Sequence, residues 1–144
     1  MNKGFTLIEG VLAIAFVGIL AGISIPFYGS YMERNYIDNA EMLYTQTLNR
    51  AKSLSQAAKQ DDSWGVKIEI EKITLFKGDD FATRNQSYDE TLDINANIEI
   101  SGTDEVSFSK MYGLPDTTGT TTLIFSDSTV TRNISISSQG LISN

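Results

Sequence analysis

The chain has 144 residues, of which 41% are hydrophobic and 20% charged, and it carries a net charge of −7. That length is enough for one modest domain. The acidic balance argues against a general nucleic-acid binder, because such a chain repels phosphates on average. The sequence has no Cys and no His, which removes disulfides, thiolate chemistry and the commonest general base. It also lacks nucleophile and phosphate-binding motifs, so we expect neither an enzyme nor a cofactor.

Most of the contiguous hydrophobic sequence lies at the N-terminus. Residues 10–32 form an uncharged run of 23 residues, and about 20 suffice for a helix to cross a bilayer. A secretory signal has a shorter apolar core, of about 7 to 15 residues, followed by a small-residue cleavage site that is missing near the end of this run. A plain membrane anchor explains the length, but it leaves the charge of Glu9 unpaired in an otherwise apolar segment.

The residues before and around Glu9 form a recognisable motif. Segment 2–9, of sequence NKGFTLIE, closely resembles the processing signature of type IV pilins and type II secretion pseudopilins. The resemblance implies that a prepilin peptidase cuts between Gly4 and Phe5 and N-methylates Phe5, while Lys3 holds the leader in the cytoplasm. It also implies that Glu9 neutralises the terminal amine of a neighbouring subunit. The alternative is a Glu9 that is solvated at the level of the lipid headgroups.

Three further positions in the apolar helix have predicted roles in assembly. Pro26 removes a backbone donor and should kink or locally melt the helix, which the resemblance connects with packing in a filament. Alternatively, Pro26 marks the exit from the membrane, with Tyr28 and Tyr31 as an interfacial aromatic belt. Gly18 and Gly22 would let a second helix approach closely, although such spacing is also frequent background in membrane helices.

The helical pattern continues beyond the apolar run. Apolar residues recur every three or four positions and predict a stripe that packs on the following domain, with a partner-binding helix as the alternative: Ile37, Ala40, Leu43 or Tyr44, Leu48, Ala51, Leu54 and Ala58. After a break at residues 61–65, alternating and β-branched segments predict strands: Val66–Ile70, Ile73–Phe76, Leu92–Ile100, Val106–Phe108, Thr121–Phe125 and Val130–Ile136.

These patterns predict an α+β pilin fold, in which a long N-terminal helix packs on an antiparallel β-sheet head. The expected segments are a leader at 1–4, a transmembrane and filament-core helix at 5–32, an amphipathic helix half at 33–60 and a β-rich head at 61–144. The C-terminal end, with Gly140 in its last turn, loosely resembles H-type minor pseudopilins.

The resemblance implies a structural subunit, a minor pilin or pseudopilin, of a type IV pilus or a type II secretion-like filament. The implied partners are the prepilin peptidase, other pilin or pseudopilin subunits, the inner-membrane assembly platform and, before assembly, membrane lipid. The subunit would first be a single-pass protein of a bacterial inner membrane, with its head outside the cytoplasm, and later part of a periplasmic or cell-surface filament.

Two alternative functions follow from the same sequence. Some related minor pilins bind DNA through basic residues near the C-terminus, but here Arg132 is the only basic residue after Lys110. The other alternative is a signal-anchored periplasmic domain that matches the pilin motif by accident.

A calcium site is a minor possibility. Some pseudopilins bind calcium in a loop, and residues 78–90 offer Asp79, Asp80, Asp89 and Glu90 as oxygen ligands. Their spacing matches no EF-hand loop, and solvated loops explain the four carboxylates more simply.

Overall fold

A computed structural model describes residues 5–126 and 128–144, and it leaves out the side chains of residues 23–28. The chain divides into two compact units, Met1–Arg34 and Asn35–Asn144; we call the second the head unit. Helix α1 spans Leu7–Gln56 and contributes residues to both units.

Within the head unit, α1 is amphipathic and buries one face. The side chains on that face are almost completely shielded from solvent: Ile37, Ala40, Tyr44, Thr47, Leu48, Ala51 and Ser55. Their spacing of three and four residues places them on one side of a helix. The prediction that this stripe packs on the following domain is confirmed as far as Leu54, whereas Ala58 lies beyond the end of α1.

Helix α1 ends at Gln56, four residues before the predicted boundary at 60. Ala58, Gln60 and Asp61 follow in left-handed backbone conformations, with φ of 45°, 59° and 61°. A left-handed residue other than glycine costs roughly 1–2 kcal/mol. The chain therefore leaves the helix through a strained turn rather than through a glycine cap.

The described residues of the head unit contain two four-stranded antiparallel sheets, with strand orders β3-β2-β1-β5 and β4-β6-β7-β8. The strands are β1 (Trp64–Glu69), β2 (Lys72–Lys77), β3 (Glu90–Asp93), β4 (Ile98–Gly102), β5 (Glu105–Phe108), β6 (Gly119–Phe125), β7 (Thr131–Ile136) and β8 (Ile142–Ser143). The α+β fold predicted from the sequence is confirmed, although the strands form two sheets.

The core of the head unit lies between the buried stripe of α1 and the inner faces of the strands. In β1, Gly65 is packed directly under the ring of Phe76, its cross-strand partner in β2. A Cβ at position 65 would collide with that ring. The glycine is therefore a packing requirement of this sheet.

One predicted strand is wrong. Segment 92–100 is not continuous, because β3 ends at Asp93 and β4 begins at Ile98 in the other sheet. Between them the side chain of Asn95 accepts a hydrogen bond from the Asn97 amide at 2.9 Å, and its carbonyl accepts one from the Ile98 amide at 3.1 Å. Asn commonly closes turns in this way, so the chain changes sheets at this point.

Candidate assembly site on the N-terminal helix

The start of α1 is organised around Glu9. Thr6 precedes the first helical residue, and its carbonyl accepts hydrogen bonds from the amides of Glu9 (3.1 Å) and Gly10 (3.2 Å). The Glu9 carboxylate turns back toward Thr6, 3.5 Å from both the amide nitrogen and the hydroxyl. A Thr at the N-cap with a Glu three residues later has the spacing of a capping box, and the contact of the Glu9 carboxylate with the Thr6 amide is one half of that motif. The Glu9 charge also lies at the positive end of the helix dipole.

Both contacts of the Glu9 carboxylate are long for hydrogen bonds, and the residue is exposed. The carboxylate therefore keeps lone pairs for a stronger donor. A protonated amine would be such a donor, because charge-assisted hydrogen bonds are shorter and roughly twice as strong as neutral ones.

Large apolar side chains in the first part of α1 point into solvent. They are more than half exposed: Phe5, Leu7, Ile8, Val11, Leu12, Ile14, Phe16, Val17, Ile19 and Leu20. Contiguous apolar surface of this kind marks a site of interaction with protein or with membrane.

The glycines predicted to pack against another helix lie on open surface. A Cβ added at Gly18 or Gly22 would have no neighbour within 4 Å, and the same holds for Gly10 and Gly29. Helix α1 runs without interruption through Pro26, so the predicted local melting is not seen in the single chain. The roles of Gly18, Gly22 and Pro26 stay predictions.

Of the two residues at the predicted cleavage site, the structure describes only Phe5. Gly4 lies outside the described residues, whereas the side chain of Phe5 is 82% exposed. Cleavage between them and methylation of Phe5 stay predictions. Among the helices of the described residues, none combines the length and the apolar character needed to cross a membrane.

The four carboxylates considered for calcium have separate partners. Asp89 pairs with Arg84 at 2.8 Å, and Glu90 forms a two-pronged ion pair with Arg50 at 2.6 and 2.7 Å. The Asp79 carboxylate accepts a hydrogen bond from the Ser63 hydroxyl, and the Asp80 carboxylate accepts one from the Ala82 amide at 2.7 Å. Within the described part of the chain, no three His, Cys, Asp or Glu side chains are grouped so as to hold a metal ion.

Basic side chains of the head unit are mostly neutralised by its own carboxylates. Arg132, the basic residue considered for DNA binding, lies 2.7 Å from the Asp38 carboxylate and 3.3 Å from that of Glu41. Of the nine Lys and Arg residues in 35–144, seven form ion pairs with carboxylates of the described residues: Arg50, Lys67, Lys72, Lys77, Arg84, Lys110 and Arg132. This pairing argues against recognition of nucleic-acid phosphates by the head.

Known proteins resemble part of this sequence. The chain is 46% identical over 43 residues to the type IV major pilin protein PilE of Neisseria gonorrhoeae, a stretch that covers 30% of this chain and 26% of that protein. It is 49% identical over 37 residues to the type IV major fimbrial protein FimA of Dichelobacter nodosus, covering 26% and 24%. The chain is related to the type IV pilins. The relationship predicted from segment 2–9 is thereby confirmed.

A third pilin relative, the fimbrial protein EcpC of Eikenella corrodens, is 48% identical over 40 residues, or 28% of this chain and 26% of its own. The chain thus matches about a quarter of the length of these pilins. No family model and no solved structure matches it. The names of these relatives describe pilins and fimbrial proteins, which agrees with the prediction of a structural protein and not an enzyme.

Proposed function

We propose that this pilin relative is a structural subunit of a type IV pilus or a type II secretion-like filament and acts by polymerisation. The observation that carries the proposal is the exposed apolar start of α1, with a single carboxylate, Glu9, at its tip. In a filament, this surface would be buried against the helices of other subunits. Burial at about 25 cal/mol per Å² of apolar surface would drive the assembly.

Processing prepares the helix for assembly. A membrane-embedded prepilin peptidase cuts between Gly4 and Phe5 and methylates the new terminal amine of Phe5. Before assembly, segment 5–32 anchors the subunit in the inner membrane, where the assembly platform collects it. The 23-residue uncharged run at 10–32 supports this anchoring role.

Glu9 then selects the position of the incoming subunit. A carboxylate moved alone into an apolar filament core costs several kcal/mol, whereas a paired one is tolerated. The weak 3.5 Å contacts with Thr6 can give way to the amine on Phe5 of a neighbouring copy. The correct register is the one in which both charges are neutralised.

The remaining predicted positions shape the contact between helices. Gly18 and Gly22, which have open space above them, allow the backbone of a second helix to approach. Pro26 weakens the hydrogen-bond ladder of α1 locally, so that the helix can adjust when the subunits pack.

Within such a filament, we propose that this chain is a minor subunit and not a major one. The C-terminal end resembles H-type minor pseudopilins, whereas two of the relatives named above are major pilins. The abundance of the chain relative to the other subunits in sheared filaments tests this assignment, because a major subunit would dominate the preparation.

Replacement of Glu9 tests the proposed mechanism. In cells with an active peptidase and assembly platform, Glu9→Ala should be inserted and cleaved normally but be missing from sheared filaments. Glu9→Gln should fail in the same way, because the amide cannot neutralise an amine. Glu33→Ala, which changes the same residue type on the same helix, should assemble normally. Incorporation of Glu9→Ala at the wild-type level would overturn the role of Glu9.

A further inference from the structure

The head unit contains an open cleft of about 390 Å³ that the proposed function does not use. It is lined by Asp79, Ser107, Ser109, Leu114, Pro115 and Asp116. The side chains of Val66 and Ile68 in β1 belong to the core. Residues alternate between the two faces of a strand, so Gly65 and its cross-strand partner Ser107 lie on the outer face. The cleft therefore opens on the outer face of the sheet β3-β2-β1-β5.

One wall of the cleft is the loop between β5 and β6, and hydrogen bonds fix its shape. The Asp116 amide donates to the Ser107 carbonyl at 3.0 Å. The Ser109 amide donates to the Leu114 carbonyl at 2.8 Å, and the Leu114 amide donates to the Ser109 hydroxyl at 3.1 Å. A ligand that enters a cleft with a preformed wall loses less free energy in ordering the protein.

Two carboxylates in the cleft have no counter-ion in the described chain. The Asp79 carboxylate accepts a hydrogen bond from the Ser63 hydroxyl through Oδ1. The Asp116 carboxylate accepts one from the Ser107 amide at 2.8 Å, also through Oδ1. Both donors are neutral, so both negative charges persist, and each Oδ2 atom has no hydrogen-bond partner among the described residues. Two carboxylates in one concave site attract a cation.

The Ser107 hydroxyl is a further acceptor without a partner. Ser107 is only 4% exposed, and its side chain lines the cleft. Its amide and carbonyl both bond to Asp116, whereas no described residue forms a hydrogen bond with its hydroxyl. Polar groups that are buried to this extent are normally hydrogen-bonded. The unpartnered hydroxyl therefore indicates that a ligand in the cleft supplies the partner.

The free atoms of the cleft select one class of cation. The Oδ2 atoms of Asp79 and Asp116 and the Ser107 hydroxyl are three acceptors, and an ammonium group has three donors. A guanidinium group prefers both oxygens of one carboxylate, but one oxygen of each is already occupied. Calcium takes six to eight oxygen ligands. Leu114, which is 47% exposed, and Pro115 add an apolar wall that suits the alkyl stem of an amine.

We propose that this cleft binds a primary alkylammonium group. The ammonium lies on Asp79, Asp116 and the Ser107 hydroxyl, while the stem packs on Leu114 and Pro115. A free alkylamine and a lysine side chain of a partner protein present the same atoms, so the cleft recognises this shared chemistry. The proposal does not depend on polymerisation, because none of these residues belongs to α1.

Titration of the purified full-length chain in detergent with n-butylamine, at constant pH and ionic strength, tests the proposal. The Ser107 amide is the reporter, because it donates to the Asp116 carboxylate. Its NMR signal should shift and saturate as the amine is added. 1-Butanol, which has the same stem without the charge, should bind at least tenfold more weakly. A signal that does not shift, or equal binding of the amine and the alcohol, would overturn the proposal.

Two isosteric variants test the carboxylates. Asp79→Asn and Asp116→Asn remove the charge but keep an oxygen acceptor for Ser63 and Ser107, and each should weaken butylamine binding at least fivefold. Asp93→Asn is the matched control, since it changes an exposed carboxylate of β3, at the opposite edge of the same sheet. It should bind butylamine like the parent chain. Unfolding curves that match the parent show that the variants are folded, and undiminished binding by both cleft variants would contradict the assignment.

Nα-acetyl-lysine methylamide distinguishes the two sources of the ammonium group. Binding at least as tight as that of butylamine shows that the cleft admits a peptide main chain and supports a partner protein. Binding of butylamine alone supports a free alkylamine. Calcium chloride is the last arm of the titration. Saturation of the same signal by calcium at a lower concentration than butylamine, with displacement of the amine, would overturn the proposal in favour of a metal site.

Discussion

Glu9 has an observed contact in the single chain and a second, proposed role in an assembly. In the single chain its carboxylate caps α1 through two long contacts with Thr6. The Thr-x-x-Glu spacing of a capping box lies within segment 2–9, so the same residues carry both the helix cap and the resemblance to the pilin motif. Because the cap is weak, a neighbouring amine could replace it at little cost.

Gly65 offers a test of packing at the scale of one atom. Gly65→Ala should lower the free energy of unfolding by about 1–3 kcal/mol, because the added methyl group collides with the Phe76 ring in a filled core. Urea denaturation measures the change. Gly18→Ala, where the methyl group meets nothing within 4 Å, is the control and should not lower stability. Equal stability of Gly65→Ala and wild type would contradict the described packing.

At the scale of elements, buried and surface contacts connect α1 to the sheets. The Tyr44 hydroxyl lies 3.3 Å from the Thr121 hydroxyl of β6, in the interior. Burial raises the pKa of Tyr44 to about 12, although the hydrogen bond with Thr121 acts in the opposite direction. On the surface, Arg132 of β7 holds Asp38 and Glu41 of the same helix.

Tyr44 should make the head sensitive to alkali. Its folded pKa of about 12 exceeds the usual value of about 10, so its contribution is complete below pH 10 and is lost as the pH rises toward 12. Between these pH values wild type should lose about 2 kcal/mol more stability than Tyr44→Phe. Denaturation of both proteins at a series of pH values measures the difference. Because the two proteins share every other group that titrates between pH 10 and 12, the difference reports Tyr44 alone. Parallel curves for the two proteins would contradict the burial of this hydroxyl.

The Arg132 ion pairs should contribute modestly because they are partly exposed. Arg132→Ala should lower the free energy of unfolding by about 0.5–1 kcal/mol at low salt, and by less in 1 M salt, where the Debye length is about 3 Å. Arg34→Ala serves as the control, since Arg34 has no ion pair in the described chain. A salt-independent loss would show that packing of the arginine stem, and not its charge, carries the effect.

At the scale of the whole molecule, local patterns predicted much of the fold. The stripe from Ile37 to Ala51 and the strands β1, β2, β6 and β7 follow from periodicities of three to four and of two residues. Segment 92–100 was read as one strand because periodicity does not reveal the turn at Asn95. The division into two sheets depends on pairing between distant strands, which no local pattern encodes.

The sequence predicted only the contiguous parts of the candidate functional surfaces. Glu9 and the apolar run were found because they are contiguous. The contact between the loop after β5 and the last turn of the chain was not, because Gly113 and Gly140 are brought together only in the folded head. Ile70 was expected on the buried side of a strand, but it lies in the turn after β1 and is exposed.

The central claim, that this chain follows the pilin pathway, is tested most directly by intact mass. The protein should be isolated from cells with and without an active prepilin peptidase. The account predicts that, only with the peptidase, the mass falls by Met1 to Gly4 and rises by one methyl group on Phe5. A chain that stays uncut in both strains, or that is cut after the apolar run, would contradict the account.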